Sequence, residues 1–247
     1  MKLIIFFIFL FPVIAFCQSS IGVNIGYQNS LYFNTYSKVL DIPSCCKEYI
    51  NPNSNSISFG LFHTAILNQN LSLISTFQYS SITPTSIVNI SYPVLINNKL
   101  QTVDFEYTSK FSFSQIALSS GIEYIISNAF SIGSRVGLVS EFDTKYSQNE
   151  NILTEGVQYK NPDFESVSNR TISSFVVKPT LVAFVHYKYP MNRNYSIVSR
   201  LDVATVLGNN SIPINRSNLQ TRLLLGIEYY FINTSKDNPL NPNNEKE

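Results

Sequence analysis

The side chains in this chain that are best suited to chemistry are two neighbouring cysteines and two histidines. Cys45 and Cys46 lie next to each other in a polar segment, and His63 and His186 have no acidic or cysteine residue at a suitable spacing. Adjacent cysteines are too close for ordinary bridge geometry, and two sulfurs alone do not make a metal site. The sequence therefore predicts no catalytic centre. It predicts a locally oxidised cysteine pair, with bonding to a partner chain or soft-metal binding as alternatives.

The strongest structural pattern is in residues 222–231. Successive side chains of a strand lie on opposite faces, and a membrane-spanning strand needs one apolar face, one polar face and aromatic rings at the headgroups. One face of this segment is apolar and ends in aromatic rings: Leu223, Leu225, Ile227, Tyr229 and Phe231. The other face is mostly polar or small: Arg222, Leu224, Gly226, Glu228 and Tyr230. We interpret this segment as the closing strand of a transmembrane barrel.

Seven further segments alternate in the same way, and the connections between the strands are sorted by length. Short turns are predicted at residues 68–70, 127–129 and 190–194, and the connections between them are long. One of the long connections, 80–112, contains a hairpin that turns at Asn97-Asn98, and the longest is 141–178. This layout predicts an all-β fold: an eight-stranded, antiparallel, up-and-down transmembrane β-barrel with short periplasmic turns and long extracellular loops. A soluble β-sandwich or lipocalin-like barrel is the alternative.

Two sets of residues follow from this assignment. Rings near the short turns are expected to form a periplasmic aromatic girdle: Tyr124, Phe130, Tyr189, Tyr195, Tyr229 and Phe231. Charged residues on the inward faces are expected to form a structural network in the lumen: Glu123, Arg135, Arg200, Asp202, Arg222 and Glu228. Glu123 and Arg135 are expected to be diagonal neighbours across the turn at 127–129. An eight-stranded barrel is only wide enough for its own side chains, so a plug is favoured over a charged pathway.

The N-terminus and the composition indicate export and give no support for nucleic-acid binding. Residues 1–17 have one lysine, an apolar run too short to span a bilayer and an Ala15-Phe16-Cys17 end, which predicts a cleaved signal peptide. A lipoprotein signal with Cys17 as the lipidated residue is the alternative. Removal of Lys2 takes the formal charge from +1 to 0, which gives no electrostatic basis for binding nucleic acid. Charged residues make up only 13% of the chain, which suits a surface that partly faces lipid.

At this point the chain resembles the outer-membrane β-barrel domains of Bacteroidota- and Chlorobiota-type bacteria, which are similar in architecture to the barrel of outer-membrane protein A. The matching features are Cys45-Cys46, the run from Asn149 through Phe164 to Arg170, and the closing strand that ends at Phe231. The resemblance covers residues 18–231 and implies a largely uncharacterised group, some members of which serve type IX secretion. Such barrels often end on the closing aromatic residue, which the barrel-insertion machinery reads. Residues 232–247 depart from that pattern and are expected to form a disordered periplasmic tail.

The sequence therefore predicts a non-enzymatic outer-membrane protein with no cofactor. Its role is expected to be structural, adhesive or in envelope assembly, through the long loops and an extracellular or envelope partner. A Gly-rich phosphate loop and a His-Glu-x-x-His run are both absent from the sequence. A small pore or transport-associated barrel is the first alternative, and a secreted soluble binding protein is the second.

Overall fold

The computed structural model describes residues 19–32, 53–157, 166–172, 175–207 and 218–231. These ranges hold ten β-strands: β1 Ser19–Tyr32, β2 Asn53–Asn68, β3 Leu71–Ile82, β4 Thr85–Ile96, β5 Lys99–Ile125, β6 Phe130–Ile152, β7 Ser166–Ile172, β8 Val176–Pro190, β9 Tyr195–Val206 and β10 Asn218–Phe231. A helix long and apolar enough to cross a membrane does not occur in the described residues.

Eight of the ten strands form a closed ring. The order around the ring is β1-β2-β3-β5-β6-β8-β9-β10, and every neighbouring pair is antiparallel. The ring closes between β1 and β10, from the pair Ser19–Phe231 to the pair Tyr32–Asn218. The predicted eight-stranded antiparallel barrel, with residues 222–231 in its closing strand, is confirmed.

The two faces of the barrel wall differ sharply in polarity. In β10 the side chains of Leu225 and Ile227 are more than half exposed, whereas Leu224 and Glu228 are buried. The same alternation occurs in β1, where Val23 is exposed and the residues on either side are not. Apolar side chains therefore cover the outside of the ring, and mostly polar side chains fill the inside.

Two strands of the ring continue well beyond it. β5 has 27 residues and β6 has 23, more than twice the ~9–11 that cross a bilayer. β4 pairs with the first half of β5 in a hairpin that turns at Asn97-Asn98, where φ is +49° and +60°. The hairpin predicted from the sequence is therefore confirmed. β7 pairs with the far end of β6, so β4, β5, β6 and β7 form an additional sheet, which we call the extension.

The expected long connection at 141–178 was wrong over much of its length. β6 continues to Ile152, β7 follows, and β8 begins at Val176. Asp143 has a φ of +54°, and the β5–β6 register shifts near it, which identifies a β-bulge. One extra residue exchanges the two faces of a strand. Glu141 therefore faces inward below the bulge, and Tyr146 faces inward above it.

An apolar core closes the end of the barrel that lies away from the short turns. It is built from inward-facing residues at the upper ends of four ring strands: Tyr32, Ile82, Tyr107, Phe111, Phe113 and Tyr146. The rings of Phe111 and Tyr146 are 4.7 Å apart. Val88 and Ile90 of β4 pack against this cluster, so the inner face of the extension is tied to the top of the barrel.

Candidate functional site

The layer of the lumen nearest the short turns joins two carboxylates to a histidine and a lysine. Glu123 contacts Nδ1 of His186 at 2.8 Å and accepts hydrogen bonds from two serines, Ser72 and Ser131. Glu228 accepts hydrogen bonds from Nζ of Lys188 at 3.3 Å and from the hydroxyl of Tyr230 at 2.8 Å. These contacts join β5 to β8 and β8 to β10 and tie this end of the barrel together.

The partner of Glu123 differs from the one suggested by the sequence. The register places Glu123 opposite Gly133 and Arg135 opposite Gly121, so Glu123 and Arg135 are diagonal neighbours as expected. The hydrogen bonds of Glu123 nevertheless go to His186 and the serines, and Arg135 turns to other strands. In the sequence His186 has no acidic residue at a suitable spacing, and the structure brings Glu123 to it across the lumen. The signal available in the sequence was the inward position of His186 beside that of Lys188.

The middle layer places two arginines around one carboxylate. Nη2 of Arg135 donates to Asp202 at 2.6 Å, and Nε of Arg200 donates to the other oxygen of the same carboxylate at 2.8 Å. The side chain of Asp202 is completely buried. The Arg135 guanidinium also lies 4.9 Å from the centroid of the Phe184 ring, a cation–π distance. This layer therefore fills the centre of the barrel with paired charges.

The next layer contains Arg222 surrounded by glutamines. Its guanidinium donates to the side-chain oxygens of Gln28 at 3.0 Å, Gln78 at 2.5 Å and Gln220. The amide nitrogen of Gln220 donates in turn to Gln115 at 3.3 Å. Gln78 is on β3, which is three strands away from β10 around the ring, so Arg222 reaches across part of the lumen.

An ion pair lies between the Arg222 layer and the apolar core. Nζ of Lys178 contacts both oxygens of Glu141 at 2.9 Å. Glu141 and Lys178 are not predicted as lumen residues, because they are the two ends of the long connection expected at 141–178, whereas the inward positions of His186 and Lys188 follow from the alternation of their strand. The six charged residues assigned to the lumen all lie inside the barrel and are buried.

The outer surface carries aromatic rings at both ends of its apolar band. The six residues expected in the girdle lie on outward-facing positions near the short turns, and Tyr195, Tyr229 and Phe231 form adjacent ring pairs. Toward the extension, Tyr27, Phe59 and Tyr79 are also exposed. These three residues were not identified from the sequence as a second aromatic girdle, although the alternation that places them on the outward face is visible in the sequence.

Polar side chains interrupt the apolar band halfway between its ends. His63 of β2 pairs in register with Ser75 of β3, and Ser75 pairs with Ser120 of β5. The two serine hydroxyls are 3.0 Å apart and bond to each other. Nε2 of His63 is buried and has no hydrogen-bond partner among the described residues. His63 therefore lies on the outward, mostly apolar face of β2.

The outer face of the extension is mostly polar, with Ile87, Leu95 and Leu100 as exposed apolar side chains among the polar ones. Ser91 donates to Asp104 at 2.5 Å, and Asn151 donates to Glu106 at 3.4 Å. On the inner face, burial raises the pKa of the Tyr146 phenol, which donates to Gln148 at 2.7 Å. The extension therefore has a largely apolar inner face and a mostly hydrophilic outer face.

The remaining expectations lie outside the described residues. These are the signal peptide at 1–17, the pair Cys45 and Cys46, and the tail at 232–247. Within the described ranges there is no group of three or more histidine, cysteine or acidic residues that could hold a metal ion.

No protein-family model and no curated protein matches the chain. Solved structures of outer-membrane proteins are similar to it. Ail, the attachment invasion locus protein of Yersinia pestis, has 14% identity and a TM-score of 0.37, with 87% of this chain and 99% of that chain covered. The outer membrane protein OprG from Pseudomonas aeruginosa has 11% identity and a TM-score of 0.41, with 88% and 98% covered. The outer membrane protease OmpT from Escherichia coli has 12% identity and a TM-score of 0.37, with 87% and 97% covered. At these identities no function is carried over, and the resemblance to Bacteroidota- and Chlorobiota-type barrels stays a prediction.

Proposed function

We propose that the protein is a non-enzymatic integral outer-membrane β-barrel whose extension is an adhesive contact surface on the cell exterior. The observation that carries this proposal is the division of the molecule into a packed barrel with an apolar exterior and a large ordered sheet above it. The barrel provides the anchor, and the extension provides the surface that other molecules contact.

The polarity of the barrel supports membrane insertion over the soluble alternative. A soluble barrel or sandwich places its apolar residues inside, whereas Leu225, Val23 and Phe59 point outward and are more than half exposed. An apolar band around the whole ring far exceeds the patches that soluble monomers expose. The closed ring also leaves no unpaired strand edge in contact with lipid.

The packing of the lumen argues against a pore. Arg222 reaches across part of the lumen to Gln78, and Arg135 and Arg200 converge on Asp202 below it. The apolar core lies above both layers. A solute moving along the axis would have to displace each layer in turn, including buried charge pairs that are costly to separate.

The placement of the acidic and histidine side chains argues against hydrolysis at the cell surface. Glu123 and His186 contact each other inside the wall near the short turns, with side-chain exposures of 0% and 1%. A general acid or base must come within hydrogen-bonding distance of its substrate. A substrate arriving at the extension would be separated from this pair by the rest of the lumen.

The test combines the location of the protein, its conductance and adhesion. We expect the full-length protein to resist alkaline carbonate extraction, to show heat-dependent gel mobility and to give no steps in planar bilayers. Cells expressing it should aggregate or adhere more than cells without it, and Asn149→Lys with Asn151→Lys on the outer face of the extension should reduce that gain. The matched control is Asn128→Lys at a short turn.

Three outcomes would contradict the proposal. Recovery in a soluble fraction would favour the secreted alternative, and regular conductance steps would favour the pore. Equal adhesion by the extension variant and the Asn128→Lys control, at equal surface amounts, would show that the extension is not the contact surface.

A further inference from the structure

Arg222 is a buried cation without a carboxylate partner of its own. Its side chain is on the inner face of β10, directly opposite Asp202 in the β9–β10 register. The two oxygens of Asp202 are occupied by Arg135 and Arg200. Among the described residues, the hydrogen bonds of the Arg222 guanidinium go instead to neutral amide oxygens. Three guanidinium groups therefore share one carboxylate in the middle of the barrel.

The charges that the described residues place in the lumen are also unbalanced. Below the apolar core, the described residues of the lumen include five lysine and arginine side chains and four carboxylates: Arg135, Lys178, Lys188, Arg200 and Arg222, and Glu123, Glu141, Asp202 and Glu228. Protonation of His186 would only increase the positive excess. Since an unpaired charge in a buried environment is unfavourable, the lumen around Arg222 favours an additional negative charge.

The hydrogen-bond pattern identifies where that charge would be held. Arginine can only donate hydrogen bonds, so the glutamine groups that face Arg222 must be their oxygens. This assignment determines the orientation of the Gln78 side-chain amide, whose nitrogen is turned away from Arg222. It also fixes Gln220 as the donor to Gln115, which leaves the amide nitrogen of Gln115 free to donate elsewhere. Neither of these nitrogens, on Gln78 or Gln115, finds an acceptor in the part of the chain that the structure describes.

The two amide groups are close together on the same wall. Gln78 pairs in register with Ala117 and Gln115 pairs with Ser80, so the two glutamines are diagonal neighbours on the inner faces of β3 and β5. Both are at least nine-tenths buried. Nε of Arg135 is a third buried donor without an acceptor among the described residues. Its guanidinium reaches the same strand, two residues away, through Thr76.

We propose that the lumen binds a small inorganic anion of the halide class at the amide nitrogens of Gln78 and Gln115, behind the glutamine oxygens that face Arg222. The N–H groups of Gln78 and Gln115 would donate to the anion, and the guanidinium of Arg222 would supply the attraction. A monatomic ion suits this place because it needs only hydrogen-bond donors around it, and both glutamines are at least nine-tenths buried. This anion site does not depend on the adhesive role proposed above, because it concerns the barrel interior only.

The direct test uses bromide as the probe. The full-length protein, refolded in detergent, is crystallised in sodium bromide, and anomalous differences are measured at the bromine edge. We expect a buried peak within hydrogen-bonding distance of the Gln78 and Gln115 amide nitrogens. A peak that appears only on the outer surface, or no peak, would overturn the proposal.

The second test compares variants in solution. The thermal unfolding midpoint is measured against chloride concentration at constant ionic strength, with gluconate as the bulky replacement anion. A ligand that binds only the folded state raises the midpoint with its concentration, so the wild type should be stabilised by chloride. Gln78→Glu places a carboxylate against Arg222 with almost no change in shape, so this variant should fold without chloride and lose both the chloride dependence and the bromide peak.

The matched control is Gln101→Glu, which makes the same substitution at an exposed position of the hairpin. It should keep the full chloride dependence. Equal chloride dependence in Gln78→Glu and Gln101→Glu would assign the effect to general salt stabilisation and would refute the site. A chloride-independent wild type would refute it as well.

Discussion

Substitution of Asp202 by asparagine is the most informative single change in the barrel interior. Asp202 is completely buried and contacts two arginines, at 2.6 Å to Arg135 and at 2.8 Å and 3.5 Å to Arg200. Asparagine keeps the shape but removes the charge, and its NH2 group would face a guanidinium that can only donate. Both arginines would remain buried without a carboxylate between them.

The expected cost is about 3–5 kcal/mol, the range observed when one partner of a buried ion pair is removed. This is a large fraction of the roughly 5–15 kcal/mol that stabilises a folded domain. The free energy of unfolding is measured in urea for the protein refolded into lipid vesicles. Tyrosine fluorescence and heat-dependent gel mobility report folding, since the chain contains no tryptophan.

The control for this measurement is Asp104→Asn on the outer face of the extension. Asp104 is exposed and accepts a hydrogen bond from Ser91, so the same chemical change there should cost less than about 1 kcal/mol. Addition of Arg200→Gln to Asp202→Asn should recover part of the loss, because it removes one of the two unpaired charges. A cost below about 1 kcal/mol for Asp202→Asn alone would refute the view that Asp202 holds the middle layer together.

Three further changes test other parts of the structure. His63→Leu should raise the free energy of unfolding in lipid vesicles, measured in urea, by about 1–2 kcal/mol, because lipid offers the buried Nε2 of His63 no hydrogen-bond partner. A loss of stability would show that a polar partner covers this position. Phe111→Ala should remove about 3–5 kcal/mol of packing from the apolar core, so that protease cleaves the extension while the barrel keeps its heat-dependent gel mobility. Loss of the protease resistance of the extension together with the heat-dependent mobility of the barrel would contradict this prediction. Gly121→Val would place a Cβ atom 2.0 Å from the backbone oxygen of Ser134, so refolding yield judged by gel mobility should fall sharply, whereas an unchanged yield would show that β5 and β6 can move apart.

The ring of strands was predictable because lipid and lumen impose opposite polarity on alternate residues. Leu223 and Arg222 show the rule in adjacent positions, and the same alternation recurs in each ring strand. The short turns were predictable because they interrupt that alternation within a few residues. No such rule applies above the apolar band, where a strand can bury either face. The sequence pattern therefore predicts a loop after Glu141, although β6 continues to Ile152.

The contacts inside the lumen could not be derived from local pattern. Which inward residues meet depends on how the strands are staggered around the ring, and this stagger is a property of the closed barrel. Glu123 and His186 are separated by 63 positions and one intervening strand, and the contact between them is made through the lumen. The bulge at Asp143 is equally hidden, because its single extra residue changes the inward face of β6 without a glycine or proline to mark it.

The continuity of β5 and β6 links the packed lumen to the proposed role of the extension. Both strands pass from the barrel into the extension, and β4 and β7 are attached to them by strand pairing. Within the barrel, the inward side chains of β5 and β6 are tied to other strands through Glu123 and Arg135. The extension therefore has no flexible linker between itself and the barrel, and its outer face is held at a set angle to the membrane. In the proposed adhesive role, a rigid attachment of this kind would limit the entropy lost on binding, so the paired charges of the lumen would serve binding at the cell surface by holding β5 and β6 in place.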